Sequence, residues 1–236
     1  MNGKTTVMKG KLILIFFISV MLTNCNKPEI DIDYNDSYGV EYFPLRIGDT
    51  LTYKITTINI DRPTKVFDTT VYYLKEVIES KFIDNENDTA YRIERYISPD
   101  NNYWKIHQVW SAKITDKYAV KVEENNRIIK LRFPIAKDNK WNGNLLNSIE
   151  DKTFKISNLY HKFNTSTYYF DNCLTVLQDS LESIINKDYE CEIYHFGIGL
   201  IYKEVTHISS QVANQLIKIE DRATTSSVFI QELIAK

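Results

Sequence analysis

Short segments that alternate between apolar and polar residues, separated by polar turns, run through the chain from residue 42 to its end. In one of them Tyr118, Val120 and Val122 take every second position, and residues 51–56 alternate in the same way. A period of two is the pattern of a β-strand with one buried face. Ten or so such segments at intervals of about 8–12 residues predict an antiparallel sandwich, barrel or strongly curved sheet with little helix.

Two stretches in the second half of the chain give weaker signals. No stretch shows a long 3.6-residue period; residues 152–163 are the best candidate for a helix, and residues 214–221 are predicted to form a strand. No Pro- or Gly-rich linker interrupts residues 42–236, so we expect a single β-rich domain. Gly48 precedes the first predicted strand, where a turn with positive φ strongly favours glycine.

Residues 1–24 have the composition of a secretory signal peptide. They contain three lysines and no acidic residue, and the apolar run begins at Leu12. The run to Leu22 is shorter than the roughly 20 residues of a membrane-spanning helix, which disfavours the alternative of a permanent N-terminal anchor. Removing the peptide takes away three positive charges and changes the formal charge from −2 to −5, so we expect no nucleic-acid partner.

Leu22-Thr23-Asn24-Cys25 resembles the lipobox of bacterial lipoproteins, although Asn24 stands where Gly, Ala or Ser is usual. This resemblance implies that Cys25 carries acyl chains, palmitate among them, that attach the protein to a membrane. Residues 25–41 then form an acidic, flexible tether. The tether is similar to the surface-export signal of Bacteroidota lipoproteins and is equally consistent with a plain solvated spacer. We expect an outer-membrane protein, with the cell surface favoured over the periplasmic face.

Three further segments resemble a family of uncharacterised Bacteroidota lipoproteins. Residues 42–53 match its aromatic-Pro-Leu opening with a following Gly and an apolar-x-Tyr strand. Residues 194–204 match its Gly-x-Gly strand entry, and 133–135 with 140–144 match its Phe-Pro-Leu and Trp-Asn-Gly segment. The chain departs from the family at Leu51, where Trp is common. The resemblance implies a β-rich domain and assigns no activity.

The candidate site residues are aromatic, hydroxyl and thiol side chains. Trp104, Trp110 and Trp141 are candidates for stacking on a glycan or peptide, and core packing is the alternative role for these three residues. Thr89, in Asp-Thr-Ala beside a polar turn, is a candidate O-glycosylation site. Cys173 and Cys191 are candidates for a disulfide, since an oxidising compartment permits one, and two buried free thiols are the alternative.

The sequence contains no H-x-H, H-E-x-x-H or C-x-x-C motif, so it predicts no catalytic residue, metal site or cofactor. We therefore expect a non-catalytic binding or scaffold protein whose partner is a glycan, a peptide or another envelope protein. One alternative is a carrier that holds an apolar ligand in a β-barrel cavity. A second is a hydrolase, because four glutamates occur within residues 182–207: Glu182, Glu190, Glu192 and Glu204.

Overall fold

The computed structural model describes residues 38–236, and these form one antiparallel sheet of twelve strands with no α-helix. Two short 3-10 helices, Val40–Tyr42 and Glu220–Arg222, are the helical segments of this part of the chain. The strands are β1 Thr50–Asp61, β2 Val66–Ile83, β3 Thr89–Ser98, β4 Lys105–Ile114, β5 Tyr118–Glu123, β6 Asn126–Arg132, β7 Lys140–Asn142, β8 Thr153–Asn164, β9 Tyr169–Glu182, β10 Asn186–His195, β11 Gly199–Ser209 and β12 Thr225–Ala235.

The sheet consists of two meanders joined at their outer strands. Strands β1 to β6 follow one another in order, β7 to β12 do the same, and β1 pairs with β12. The opposite edges, β6 and β7, also approach: Ile129 N donates to Gly143 O at 2.9 Å, and Trp141 Nε1 donates to Ile129 O at 2.8 Å. The sheet is therefore a nearly closed barrel, which confirms the prediction of a mainly β, antiparallel fold.

The two ends of this barrel differ. Residues 38–49 cover the end at which β1 begins, which we call the N-terminal end: Ile135 N donates to Tyr38 O at 3.1 Å, and Gly197 N donates to Glu41 O at 2.8 Å. Tyr38, which the sequence assigned to the tether, stacks on Phe133 with 5.6 Å between ring centroids. The other end, with the turns that follow β1, β3, β9 and β11, is called the open end.

The largest core cluster includes the covering segment at the N-terminal end. Tyr42 and Phe43 from the covering segment are buried there among aliphatic and aromatic residues of the strands. A second cluster around Tyr53, Ile55 and Leu233 lies where β1 meets β12. Gly48 has φ 94°, so the predicted positive-φ turn before β1 is present.

Two secondary-structure predictions are wrong. Residues 152–163 are strand β8 and not a helix, and residues 214–221 form a loop that ends in the second 3-10 helix rather than a strand. Strand β8 pairs with β9 through three register shifts, and Tyr160 within it has φ 55°. Each irregularity displaces the alternation by one residue, which removes the period of two from the sequence.

Candidate functional site

Two neighbouring cavities occupy the interior of the barrel. The smaller, about 70 Å³, lies under the covering segment and is lined by Phe43, Pro44 and Leu45. The larger, about 260 Å³, lies toward the open end. Its lining consists of an apolar group and a polar and charged group: Ile55, Tyr72, Leu74, Ile97, Trp110, Leu200 and Phe229, then Glu76, Arg95, His107, Gln108, Lys121, Glu123, Glu192, Lys203 and Gln231.

Strand alternation places charged side chains inside the barrel. On β2, Glu76 lies between the inward-facing Leu74 and Ile78, and on β3 Arg95 lies between Ile93 and Ile97 in the same phase. Residues i and i+2 of a strand point to the same face of the sheet. A charged side chain between two inward-facing apolar residues in this phase therefore cannot reach the solvent outside the barrel. These ionic groups are therefore part of the interior.

Glu76 holds two cations on one carboxylate. Arg95 Nε donates to its Oε1 at 2.9 Å, and Lys121 Nζ donates to its Oε2 at 2.9 Å. Both cations lie over the ring of Trp110, at 3.4 Å for Arg95 Cζ and 4.9 Å for Lys121 Nζ, which adds a cation–π attraction. Burial alone raises the pKa of Glu76, but Lys121 and Arg95 outweigh it and lower that pKa below its ordinary value.

A second ionic group joins β5, β6, β10 and β11. Lys130 Nζ lies 2.5 Å from Glu192 Oε1 and 3.3 Å from Glu123 Oε1. The Tyr194 hydroxyl donates to Glu192 Oε2 at 2.6 Å, and Lys203 Nζ lies 3.4 Å from Glu192 Oε1. Burial opposes ionisation of both glutamates, yet the lysines lower the pKa of Glu192 and lower the pKa of Glu123 to about 2.

In these two ionic groups each glutamate is paired with a cation, and none is available as a protonated acid. A glycosidase needs one carboxyl group that is protonated at working pH, with its pKa raised. The buried glutamates Glu76, Glu123 and Glu192 have lowered pKa values and stay ionised. The interior of the barrel therefore offers ion pairing and shape, and none of these three side chains can act as a general acid.

The structure places two of the four glutamates of the hydrolase alternative, Glu192 and Glu204, on opposite faces of the sheet. Glu192 faces the interior, whereas the preceding residue, Cys191, pairs with Glu204 and lies on the opposite face of the sheet. Glu204 accepts bonds from the Tyr202 and Thr206 hydroxyls at 2.9 and 3.0 Å. Because Glu192 and Glu204 lie on opposite faces of the sheet, they cannot flank one substrate bond.

The three tryptophans lie in three different environments and form no common stacking surface. Trp141 is buried in the core, edge-on to Phe154. Trp110 lines the larger cavity, and Trp104 lies under the Lys75 ammonium at 4.2 Å from the ring centroid. Trp104 and Trp110 do not share one strand face, because β4 begins after Trp104 and carries a register shift opposite Arg95/Tyr96.

The candidate disulfide between Cys173 and Cys191 does not form. Both are buried free thiols. In the β9–β10 ladder Cys173 is opposite His195, and Cys191 is opposite Leu177. Four residues of extended strand, about 13 Å, separate the two positions, well beyond the roughly 7 Å that a disulfide spans between Cα atoms.

Two other candidate residues lie at the chain's surface or outside the described part. Thr89 is exposed at the first residue of β3, and its glycosylation stays a prediction. The carboxylates Asp84, Glu86 and Asp88 in the turn before it lie within 4.8 Å of one another, and the Lys113 ammonium contacts all three.

Cys25, the lipidation candidate, and the signal peptide lie outside residues 38–236. Within those residues no helix has the length and apolar character to cross a bilayer.

Sequence reasoning missed the interior ions. The signal that could have found Glu76 and Arg95 is a charged residue in phase with apolar neighbours, as in Leu74-Glu76-Ile78 and Ile93-Arg95-Ile97. A charge at such a position is either an error of strand phase or a buried ion with a partner. Choosing between these readings requires the partner strand, which the sequence pattern alone does not identify.

Comparison with known proteins gives two structural similarities. One is to a protein inferred to be exported, with a YmcC-like fold, from Bacteroides fragilis, at 10% identity and a TM-score of 0.42 over 81% of this chain and 96% of that chain. The other is to an inferred lipoprotein from Parabacteroides distasonis, at 11% identity and a TM-score of 0.36 over 81% of this chain and 97% of that chain. No family model and no curated protein matches the chain. The architecture described above follows from the strand pairing of the chain itself.

Proposed function

We propose that this chain is a non-catalytic binding protein of the bacterial envelope that holds a small ligand inside its barrel. The larger cavity, about 260 Å³ and lined by both apolar and charged side chains, carries the proposal. Its volume is just below the roughly 300 Å³ at which ligand pockets of ordinary proteins begin. A few polar groups beside an apolar wall are typical of such pockets, since the apolar wall supplies affinity and the polar groups fix orientation.

The proposal modifies the alternative of a carrier for a purely apolar ligand. An apolar molecule in this cavity would lie against Arg95, Lys121 and Glu192 and would remove water from them without replacing its hydrogen bonds. A ligand with a polar group at one end avoids that cost. The non-catalytic assignment is supported by the ionised state of the interior glutamates.

A binding experiment with two cavity variants tests the proposal. Purified protein is titrated by calorimetry with octanol and octanoate, and native mass spectrometry looks for a small molecule that co-purifies. Ile97→Trp places a larger side chain on the cavity wall, whereas Ile106→Trp adds the same bulk on β4, where the side chain is 58% exposed. We expect saturable binding that Ile97→Trp weakens and Ile106→Trp leaves unchanged. Absence of any bound or co-purifying molecule would contradict the proposal.

The location we propose is the outer membrane, with the protein attached through acylated Cys25 and the surface face preferred. The lipobox-like residues 22–25 and the acidic tether support this placement. Cys25→Ser removes the acceptor sulfur, so metabolic labelling with palmitate and membrane partitioning should both be lost. Protease treatment of intact cells distinguishes the surface from the periplasmic face. Unchanged partitioning of Cys25→Ser would refute the anchor.

A further inference from the structure

The charged side chains of the two cavities do not balance. Three carboxylates, Glu76, Glu123 and Glu192, face four cations: Arg95, Lys121, Lys130 and Lys203. The remaining charged side chain in the lining, Asp49, pairs with Arg46 at 3.0 Å and adds no net charge. The lining of the two cavities therefore carries one positive charge in excess.

Lys203 is the cation that its neighbours hold least tightly. Its ammonium lies 3.4 Å from Glu192 Oε1, and its side chain is 24% exposed, against 11% or less for the other three cations. Glu192 is already satisfied, because Lys130 lies 2.5 Å from the same oxygen and the Tyr194 hydroxyl bonds the other at 2.6 Å. A lysine ammonium has three donors, so Lys203 can donate to a ligand without stripping Glu192 of its partners.

Part of the cavity wall is apolar. Tyr72, Leu74, Ile97 and Phe229 contribute to it and belong to β2, β3 and β12. A ligand that fills the cavity therefore meets both an excess cation and a hydrocarbon surface. Partial burial strengthens the attraction between the Lys203 ammonium and an anionic ligand, because the surrounding medium screens the two charges less than water does.

We infer that the barrel selects small amphiphiles with one negative charge, and that Lys203 binds the anionic group. This inference rests on the proposed function, since it names the chemistry of the ligand that the cavity holds. A carboxylate at the end of a short apolar chain has the required form. A neutral amphiphile would leave the excess charge uncompensated, and a cationic one would add to it.

Three probes of equal chain length test the inference in the full chain: octanoate, octanol and octylammonium, each titrated by calorimetry. We expect octanoate to bind about tenfold or more tightly than octanol, the difference that a hydrogen bond to a charged group supplies, and octylammonium to bind weakest. Lys203→Met should remove the preference for octanoate and leave octanol affinity unchanged, while Lys203→Arg should retain most of the preference.

The matched control is Lys54→Met, which removes one positive charge from β1 between the inward-facing Tyr53 and Ile55 and therefore on the outer face. We expect this variant to bind like the unmodified protein, and urea unfolding checks that every variant is folded. Equal affinity for octanoate and octanol overturns the inference and leaves the proposed function intact. A Lys203→Met variant that loses octanol equally also overturns it, because its role would then be structural. Binding of none of the probes, with nothing co-purified, contradicts the proposed function itself.

Discussion

Lys130 and Glu192 meet inside the barrel at 2.5 Å, although 62 residues separate them in the chain. Lys130 lies on β6, the last strand of the first meander, and Glu192 lies on β10 in the second. Both side chains are almost fully buried. Their ion pair therefore joins the two halves of the barrel through its interior.

Lys130→Met should be among the most destabilising single substitutions in this protein. It leaves Glu123 and Glu192 buried without their nearest cation, and breaking a buried ion pair costs about 3–5 kcal/mol of unfolding free energy. Urea denaturation followed by tyrosine and tryptophan fluorescence measures this loss. The double variant Lys130→Met/Glu192→Gln should be more stable than Lys130→Met alone, because it contains one fewer uncompensated carboxylate.

The control for this prediction is an ion pair of similar length at the surface. Lys187 and Glu220 approach to 2.5 Å, with 30% and 45% of their side chains exposed. Lys187→Met should cost less than about 1 kcal/mol, since solvent screens an exposed pair. Equal losses for Lys130→Met and Lys187→Met would mean that the interior pair contributes no more than a surface contact.

The stability of the barrel should fall in acid because of the interior glutamates. The pKa of Glu123 is about 2 in the folded protein, well below its ordinary value of 4.5. A lowered pKa means that the unfolded chain binds a proton first, so the stabilisation is complete above about pH 4.5 and is lost as the pH falls toward about 2. Urea midpoints measured across this interval should decline, and Glu123→Gln should flatten part of the decline.

Glu124→Gln removes an exposed carboxylate one residue further along the chain and serves as the matched control. Its acid dependence should follow that of the unmodified protein. If Glu123→Gln and Glu124→Gln give the same profile as the unmodified chain, the acid sensitivity comes from other groups.

The strands with regular alternation in sequence could be predicted, whereas β8 could not. Residues 51–56 and 118–122 have a clean period of two and lie in β1 and β5. Strand β8 shifts register three times in its pairing with β9. Its apolar residues therefore do not follow a period of two, although the backbone is extended. The class of fold follows from the regular strands, whereas the number of strands and the barrel closure depend on irregular ones.

The candidate site could not be predicted from local sequence patterns, because it depends on which strands pair and in which register. Arg95 and Glu76 are ordinary strand residues in sequence, and they become a buried ion pair only because β2 and β3 align Glu76 with Arg95. The prediction for Trp141 failed in the opposite direction, because the sequence made it a candidate binding residue. Trp141 was conspicuous in composition, but it packs in the core and bonds the Ile129 carbonyl.

The two thiols of the barrel should be unreactive in the native protein. Burial raises the pKa of Cys173 to about 12 and that of Cys191 to about 11, so almost no thiolate is present at pH 8. In a Cys25→Ser chain, Ellman's reagent should label both thiols about a hundredfold or more slowly in buffer than in denaturant. Mass spectrometry without reductant should find no internal disulfide. Rapid labelling of the folded protein, or a disulfide between these residues, would contradict the free, buried state.

Replacing Lys113 should convert the turn between β2 and β3 into a cation site. Its ammonium lies 2.7 Å from Asp84 and 2.9 Å from Asp88 and also contacts Glu86, so a positive charge already occupies the space between these carboxylates. Lys113→Met leaves three carboxylates within 4.8 Å of one another, which lowers the melting temperature by mutual repulsion. Calcium, which prefers carboxylate oxygens, should raise the melting temperature of Lys113→Met and leave the unmodified protein unchanged.

Lys117→Met, which removes an exposed positive charge nearby, controls for net charge and should show no calcium response. An equal calcium shift in all three proteins would show that the metal acts elsewhere on the chain.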